Sequence, residues 1–472
     1  MTALHALPAT EVLAGFRART LGPVEYLEHL VRRAEALAAT VNAFGDTYFD
    51  EALAQAARAE DAYRCGEARV LEGLPVALKD EAELAGKRTT NGSLYWVDEI
   101  AQVSEPMVER LLAAGAIVHA RTLTPEFSIT FWTSSRLWGV TRNPWNLDYD
   151  VGGSSGGSGA ALAAGLTPAA TGSDIGGSIR VPASCCGVVG LKPAYGRIPL
   201  VAPYGMDHWC HLGPLARTVA DVALLADVMT GPDPRDHASL RPALRLGTPS
   251  GDVRGLRVAV SEDLGDWPVT APVRRAVRET AAALRELGAV VEDVPLVVER
   301  ALLRTASDAH YGAVFAAATA GVVRGREELA CPSTLAWLAS LEGAPSVLEG
   351  LEAEGVITGR IGDVLERFDV LLCPTLSIPA YPADVDWVAQ PIVIDGTPYD
   401  GMREVCLSEV FNPAGRCPVI TVPSGFGDEG VPIGLQLVGR TYDDPTVVRV
   451  AAALEQARPW PLVAPDPPSA PA

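Results

Sequence analysis

The sequence contains very little lysine. Of the 38 basic residues in a chain of 472, only Lys79, Lys87 and Lys192 are lysines. Arginine fills the other basic positions, and its guanidinium group stays protonated in proteins. An ammonium group, in contrast, can lose its proton when it is buried. A retained lysine is therefore a candidate base, although a packing preference is sufficient to explain Lys87.

The chain also lacks an excess of positive charge. Its 58 acidic residues give a formal net charge of −20 at pH 7. Nucleic acids and anionic membranes attract basic proteins, so neither is expected as the main partner. The sequence has no apolar run of the roughly 18 residues that span a bilayer, and no basic and apolar secretion signal at its start. We therefore expect no membrane partner.

The eight cysteines do not form a disulfide framework. They stand at positions 65, 185, 186, 210, 331, 373, 406 and 417, without a CxxC pair. This scatter is typical of a reducing compartment and predicts a cytoplasmic location.

Three potential metal ligands lie within four residues: His208, Cys210 and His211. Ligands at this spacing rarely converge on one ion. We expect neither a metal nor an organic cofactor.

What the sequence does contain is an alternation of strand and helix patterns. Thr10 is predicted to cap the first helix, and Pro23 to begin the second. Buried strands are predicted at 74–80, 256–263, 370–375, 418–424 and 434–439, and helices at 217–229, 272–287 and 445–457. No linker divides the chain, which favours a single α/β domain over 1–465 with a flexible tail at 466–472.

A glycine- and serine-rich segment covers residues 150–187. It fits neither the phosphate loop GxxxxGK[ST] nor the dinucleotide motif GxGxxG. Two GxSxG matches centre on Ser154 and Ser155, as in an α/β-hydrolase, but that fold needs a histidine late in the chain and none follows His310. A flexible linker is disfavoured because the helix-forming run AALAAG follows at once. The segment is therefore a candidate catalytic site.

A serine nucleophile without histidine needs another base, and a neutral lysine can serve. Lys79 ends a predicted buried strand, and Ser178 follows the glycine turn of DIGGS. The backbone N–H groups of such a turn can stabilise an oxyanion. Ser154 could bridge the lysine and the nucleophile.

The run from Gly152 to Pro199, GGSSGGSGAALAAGLTPAATGSDIGGSIRVPASCCGVVGLKPAYGRIP, resembles the amidase signature family. The similarity extends through LPVALKD, TPEFS, RNPWNLD, FNPAGRCPVITVPSGF and GVPIGLQLVGR, and so covers nearly the whole chain. It implies a large mixed β-sheet flanked by helices, a signature core at about 70–230 and a variable helical region at about 300–368.

The resemblance also implies a Ser–cis-Ser–Lys triad, with Ser178 as nucleophile, Ser154 as bridge and Lys79 as base. A cis peptide bond is expected at Gly153–Ser154. The implied oxyanion hole consists of the backbone of Ile175, Gly176, Gly177 and Ser178, and the implied supporting residues are Ser155, Asp174 and Arg180. Lys192 matches a family position outside the triad and is expected to be structural.

Two departures from the family pattern stand out. Glu81 follows Lys79-Asp80 where the family often has asparagine, and ARTLTPEFS replaces a commoner GKTNTPEF. We expect neither to touch the triad.

The substrate pocket is expected to be lined by Ser128, Trp132, Tyr204 and Trp209, with Trp337 from the helical region. Such aromatic walls suit apolar or aryl groups.

The resemblance predicts an amidase that hydrolyses a linear carboxamide C–N bond, and it is compatible with aryl amides, carbamates or esters as substrates. One alternative is the A-type subunit of an amidotransferase that acts on charged tRNA with partner subunits. Another is a non-catalytic interaction protein on the same fold. The expected partner is a small amide or carbamate substrate, and a homodimer is compatible with the sequence.

Overall fold

An eleven-stranded mixed sheet forms the centre of the protein. The computed structural model describes residues 3–466. The strands are β1 (Phe44–Thr47), β2 (Pro75–Lys79), β3 (Ile117–Thr122), β4 (Ser134–Ser135), β5 (Gly139–Val140), β6 (Ala169–Asp174), β7 (Val189–Lys192), β8 (His211–Ala216), β9 (Arg257–Val260), β10 (Val290–Asp293), β11 (Val370–Pro374), β12 (Ile392–Ile394), β13 (Thr397–Tyr399), β14 (Val419–Phe426) and β15 (Pro432–Gly439).

Helices precede, separate and follow these strands in the chain. They are α1 (Ala9–Ala18), α2 (Pro23–Val41), α3 (Phe49–Cys65), α4 (Pro106–Ala113), α5 (Gly156–Ala163), α6 (Arg180–Cys186), α7 (Val219–Met229), α8 (Ala271–Glu286), α9 (Arg300–Tyr311), α10 (Ala317–Val323), α11 (Pro332–Ser340), α12 (Val347–Arg367) and α13 (Asp444–Ala457). A π-helical turn, Gly312–Ala316, joins α9 to α10.

The sheet runs in the order β1-β3-β2-β6-β8-β7-β14-β15-β11-β9-β10. The pairs β2–β3, β2–β6, β11–β9 and β9–β10 are parallel, and the other pairs are antiparallel. Strands β2, β3, β11 and β15 are buried along their whole length. This burial on both faces explains the apolar patterns of β2 and β11, and the mixed sheet with its flanking helices confirms the α/β fold class. The domain limits at 1 and 465 stay a prediction.

Most element predictions from the sequence are confirmed, but the start of α1 was predicted wrongly. Helix α1 begins at Ala9, so Thr10 lies inside its first turn. The carboxylate of Asp221 accepts the N–H groups of Ala9 and Thr10, at 2.9 and 2.8 Å. A side chain more than 200 residues away therefore satisfies the donors that a local cap would have satisfied. Helix α2 does begin at Pro23.

The structure also bears on the expectations for the C-terminal tail, for membrane-spanning helices and for the cysteines. Residues 467–472 of the predicted flexible tail lie outside the described residues, and Asp466 forms an ion pair with Arg33. Among residues 3–466, no helix is long and apolar enough to cross a membrane. All eight cysteines are free thiols.

Candidate active site

Two neighbouring parallel strands end at the same edge of the sheet and bring the predicted site together. Strand β2 ends at Lys79, and β6 ends at Asp174, directly before the turn that contains Ser178. Parallel strands present their carboxyl ends at one edge, where ligand sites of open α/β sheets usually lie. The fold thus places Lys79 beside the glycine turn although 99 positions separate it from Ser178 in the sequence.

The amine of Lys79 is buried among polar partners. Its Nζ lies 2.7 Å from Ser154 Oγ, 2.8 Å from Ser173 Oγ and 3.1 Å from Glu81 Oε2. The Lys79 side chain is 1% exposed. Burial lowers the pKa of Lys79 below its ordinary value, although the carboxylates of Glu81 and Asp174 act in the opposite direction. This is the environment that a lysine base requires.

Ser154 and Ser155 stand at the start of α5, and the peptide bond Gly153–Ser154 is cis, as the resemblance implies. The backbone N–H of Ser155 donates to the carbonyl oxygen of Ser178 at 3.1 Å, which ties the start of α5 to the glycine turn that contains Ser178. Within residues 3–466, no hydrogen bond joins Ser154 Oγ to Ser178 Oγ. Catalytic hydrogen bonds are often long without substrate.

Helix α5 reaches this position because its first turn, Gly-Gly-Ser-Gly, is rich in glycine. A Cβ atom on Gly157 would lie 2.2 Å from the backbone nitrogen of Leu123, just past the end of β3. The N–H of Gly157 instead donates to the Leu123 carbonyl at 3.0 Å. The glycine-rich sequence therefore permits close approach of helix and strand, which sets the position of Ser154.

Asp174 organises the turn that precedes Ser178. Its carboxylate accepts the N–H groups of Gly177 and Ile179 at 2.9 and 3.2 Å, and it forms a two-point ion pair with the Arg180 guanidinium at 2.7 and 2.9 Å. Burial opposes the charge of Asp174, but Arg180 outweighs burial and holds the pKa of the carboxyl well below its usual range. The pair therefore stays ionised at the base of the site.

The Arg180 guanidinium has further partners that the sequence did not reveal. It donates to the Ser408 carbonyl at 2.6 Å, to Asn412 Oδ1 at 2.7 Å and to Gln436 Oε1 at 3.1 Å. These residues lie more than 200 positions beyond Arg180. A buried ion pair is stabilising only when its remaining polar atoms are satisfied, and this network satisfies them.

The four predicted oxyanion donors are not equivalent. The N–H of Gly177 is already engaged by Asp174. Among the described residues, no acceptor is found for the N–H groups of Ile175, Gly176 and Ser178, which leaves these three as candidates to bind an oxyanion. Gly177 has φ = +123°, a conformation in which a Cβ atom is strained. Its part is to shape the turn rather than to donate.

Tyr311, the last residue of α9, contacts the same turn. Its hydroxyl donates to the Ile175 carbonyl at 3.3 Å, and a Cβ atom on Gly176 would lie 2.9 Å from that hydroxyl. Ser408 Oγ donates to the Gly176 carbonyl at 3.1 Å. These two bonds fix the carbonyl groups of the turn, and the first also fixes the peptide group that carries the N–H of Gly176.

The expectation that Glu81 does not touch the triad is wrong. Its carboxylate contacts Lys79, as described, and accepts the hydroxyl of Ser128 at 2.7 Å. Ser173 on β6 is a second contact of Lys79 that no sequence pattern indicated. Within residues 3–466, no side-chain hydrogen bond or ion pair joins the altered residues of ARTLTPEFS to Lys79, Ser154 or Ser178.

The predicted substrate residues fall into different environments. Ser128 contacts Glu81, and Trp132 packs, partly buried, in the cluster around Tyr381. Tyr204 is 38% exposed and stacks on Phe315, with ring centroids 5.1 Å apart. Trp209 is fully buried: it stacks on His310 at 4.4 Å and donates its Nε1 to Glu354. Trp209 thus presents no surface to a substrate here and belongs to the core.

The potential ligands next to Trp209 point in different directions. His208 pairs with Glu354 at 2.5 Å, whereas Cys210 Sγ contacts Asp207 at 3.3 Å. His211 is buried, and burial together with Lys192 lowers its pKa to about 3. Among residues 3–466, no group of three or more histidine, cysteine or acidic side chains is arranged to hold a metal ion.

Comparisons with known proteins identify the family of the chain. A family model described as Amidase matches residues 25–448. An acylamidase of Rhodococcus erythropolis is 35% identical over 97% of this chain and 96% of its own, and the A-type subunit of the glutamyl-tRNA(Gln) amidotransferase of Chloroflexus aurantiacus is 34% identical over 98% of both. The crystal structure of a bacterial aryl acylamidase of the amidase signature family superimposes with a TM-score of 0.91 at 28% identity, over 97% of this chain and 98% of that one. These similarities argue against a non-catalytic protein, and the chain belongs to the amidase signature family of amide-hydrolysing enzymes.

Proposed function

We propose that the enzyme hydrolyses a linear carboxamide through an acyl-enzyme on Ser178, with Ser154 and Lys79 as proton relay. The observation that carries this proposal is the 2.7 Å contact between Lys79 Nζ and Ser154 Oγ, both on side chains that are 1% exposed. Burial disfavours the ammonium form, so the amine can act as a base at a lower pH than a surface lysine.

In the first half-reaction, neutral Lys79 takes the proton of the Ser154 hydroxyl, and Ser154 takes the proton of Ser178. Ser178 Oγ then forms a bond to the acyl carbon, and the carbonyl electrons move to the oxygen, which the glycine turn stabilises. When the C–N bond breaks, Ser154 gives a proton to the departing amine and regains one from the Lys79 ammonium, which returns the lysine to its neutral form. Water attacks the resulting ester by the same relay and releases the acid.

The aromatic side chains near the turn favour an apolar or aryl group on the substrate. Tyr204 and Phe315 stack face to face, and Tyr311 lies 6.3 Å from Phe315 and 6.5 Å from Trp337, measured between ring centroids. Such surfaces bind aryl and aliphatic groups through apolar burial and edge-to-face contacts. An acylamidase and an aryl acylamidase are among the similar proteins. We infer that anilides are better substrates than short aliphatic amides, with carbamates and esters as further candidates.

A second candidate function is that of an amidotransferase A-type subunit, because one such protein is 34% identical over 98% of this chain. The net charge of −20 weighs against a partner as acidic as tRNA. Hydrolysis of glutamine that rises only in the presence of partner subunits and charged tRNA would favour this second function.

The test combines labelling with a substrate screen. A fluorophosphonate should label the wild-type protein and the Ser250→Ala variant, whose exposed serine lies far from the turn in sequence, but not Ser178→Ala. Hydrolysis of anilides, aliphatic amides, carbamates and esters is then compared in the same three proteins. Labelling or hydrolysis that survives Ser178→Ala undiminished would exclude Ser178 as the nucleophile.

A further inference from the structure

Glu81 is the one carboxylate in hydrogen-bonding contact with the amine of Lys79 among the described residues. We propose that Glu81 is a positioning residue for the base: it orients the amine of Lys79 toward Ser154 and sets the pH range in which that amine works. This inference rests on the proposed function, in which Lys79 is the base.

The orientation follows from the three contacts of the nitrogen. In the ammonium form, its three hydrogens match Ser154 Oγ, Ser173 Oγ and Glu81 Oε2 at 2.7, 2.8 and 3.1 Å. The neutral amine keeps two hydrogens and one lone pair. An ionised carboxylate can only accept, so one hydrogen must stay on Glu81, whereas a serine hydroxyl can donate to the lone pair. Glu81 therefore leaves the lone pair for a hydroxyl, as proton transfer from Ser154 requires.

The position of Glu81 is itself fixed by the loop after β3. Ser128 Oγ lies 2.7 Å from Glu81 Oε2, and it is also near Asn91 Oδ1 and Thr124 Oγ1, at 2.9 Å each. Ser128 has φ = +59°, so this contact depends on an unusual backbone conformation. The Glu81 side chain is 18% exposed, which leaves it at the rim of the buried site.

The charged and titratable neighbours are few. Asp174 on β6 is the second carboxylate that acts on Lys79. Near Glu81, burial raises the pKa of Glu105 to about 8 and also raises the pKa values of Tyr204 and Cys210, so these groups are uncharged at neutral pH. An opposite charge in contact typically raises the pKa of an amine by about 1–3 units. Removal of the Glu81 carboxylate should therefore lower the pKa of Lys79 by a similar amount.

The experiment measures the rate constant for fluorophosphonate labelling of Ser178 between pH 5 and 10. This probe reports activation of the nucleophile and is independent of substrate choice and of product release. Glu81→Gln should move the midpoint of the alkaline rise to lower pH by about 1–3 units. Glu81→Asp keeps the negative charge, so its midpoint should lie close to that of the wild type. Glu83→Gln removes the same charge from an exposed neighbour and should leave the midpoint unchanged. Each protein is also measured with Glu105→Gln as an additional substitution, so that titration of Glu105 does not contribute to the midpoint.

A midpoint that is the same in Glu81→Gln and wild type would overturn the inference about Glu81. If Glu81→Gln does not fold, Glu81→Asn, with the residue more common in the family, supplies a second neutral variant. Failure of the proposed function looks different, because the wild-type rate would then show no alkaline rise or Ser178→Ala would still be labelled.

Discussion

The hydroxyl of Tyr311 donates a hydrogen bond to the carbonyl oxygen of Ile175 at 3.3 Å. This bond joins the end of α9 to the turn that carries the candidate oxyanion donors. The resemblance predicts a variable helical region at about 300–368, and no sequence pattern indicated a contact between this region and the turn.

We expect Tyr311→Phe to lower kcat about 2–10-fold with little change in KM, because a neutral hydrogen bond contributes roughly 0.5–1.5 kcal/mol to the position of the turn. Tyr63→Phe is the matched control: that hydroxyl donates to the Glu72 carbonyl at 2.8 Å. Steady-state kinetics and thermal unfolding of both variants separate a role in positioning the turn from a role in stabilising the fold. Equal losses of stability with unchanged kcat would show that Tyr311 is only structural.

The alkaline rise of activity follows from the environment of Lys79. Since only the neutral amine accepts a proton, kcat/KM should rise about tenfold per pH unit and then reach a plateau. Burial lowers the pKa of Lys79, so the plateau should begin below about pH 10.4, the value for a free lysine. The profile is measured from pH 5 to 10 on the best anilide. Lys79→Met should remove the rise, and a flat wild-type profile would contradict a lysine base.

Gly177→Ala should disable the turn. A Cβ atom on Gly177 would lie 2.0 Å from Ser408 Oγ and 2.6 Å from Ser408 Cβ, so the backbone must move. Loss of oxyanion stabilisation typically lowers kcat about 100–1,000-fold, and we expect a loss in this range. Gly66→Ala tests the cost of a positive φ alone, because no atom lies within 4 Å of its added Cβ. An active Gly177→Ala enzyme would show that the turn tolerates displacement.

Lys192 should make stability depend on pH. It is buried beneath the site, where its Nζ donates to the Cys417 carbonyl at 3.0 Å. Burial, aided by Arg180, lowers its pKa to about 7. Between pH 7 and about 10.4 the unfolded chain therefore binds more protons at this residue, and stability rises with pH.

The measurement compares urea unfolding of wild type and Lys192→Met at pH 7 and pH 10. The stability of the variant relative to wild type should fall by roughly 4 kcal/mol over this interval, because a shift of one pKa unit corresponds to about 1.4 kcal/mol. Lys87→Met changes a partly exposed lysine and supplies the baseline. A difference that is constant with pH would contradict the burial effect.

The sequence was sufficient for the fold class and for residues that lie close together in the chain. The strand end at Lys79 is visible as an apolar run that stops at a charge, and Gly153–Ser154 lies in a motif that is specific for the family. The contacts of Lys79 with Ser173 and Glu81 were not predictable in the same way. The first depends on the register between β2 and β6, and the second on the direction in which the chain turns after β2.

Hydrogen-bond partners that lie far apart in the chain could also not be predicted from the sequence. Arg180 was expected to support the site, but its bonds to Asn412 and Gln436 join segments more than 200 residues apart. For Trp209, the sequence predicts a side chain that lines the substrate pocket, whereas the structure places it in the core. Composition cannot distinguish these two environments for a large apolar side chain.

The scarcity of lysine has a practical consequence. Two of the three lysines are buried, with Lys79 and Lys192 at 1% and 0% exposure, and the side chain of Lys87 is 25% exposed. Among the side-chain amines, Lys87 should therefore be the one that couples to amine-reactive dyes or resins in the folded enzyme. Attachment through that one side chain would let the enzyme be immobilised in a defined orientation.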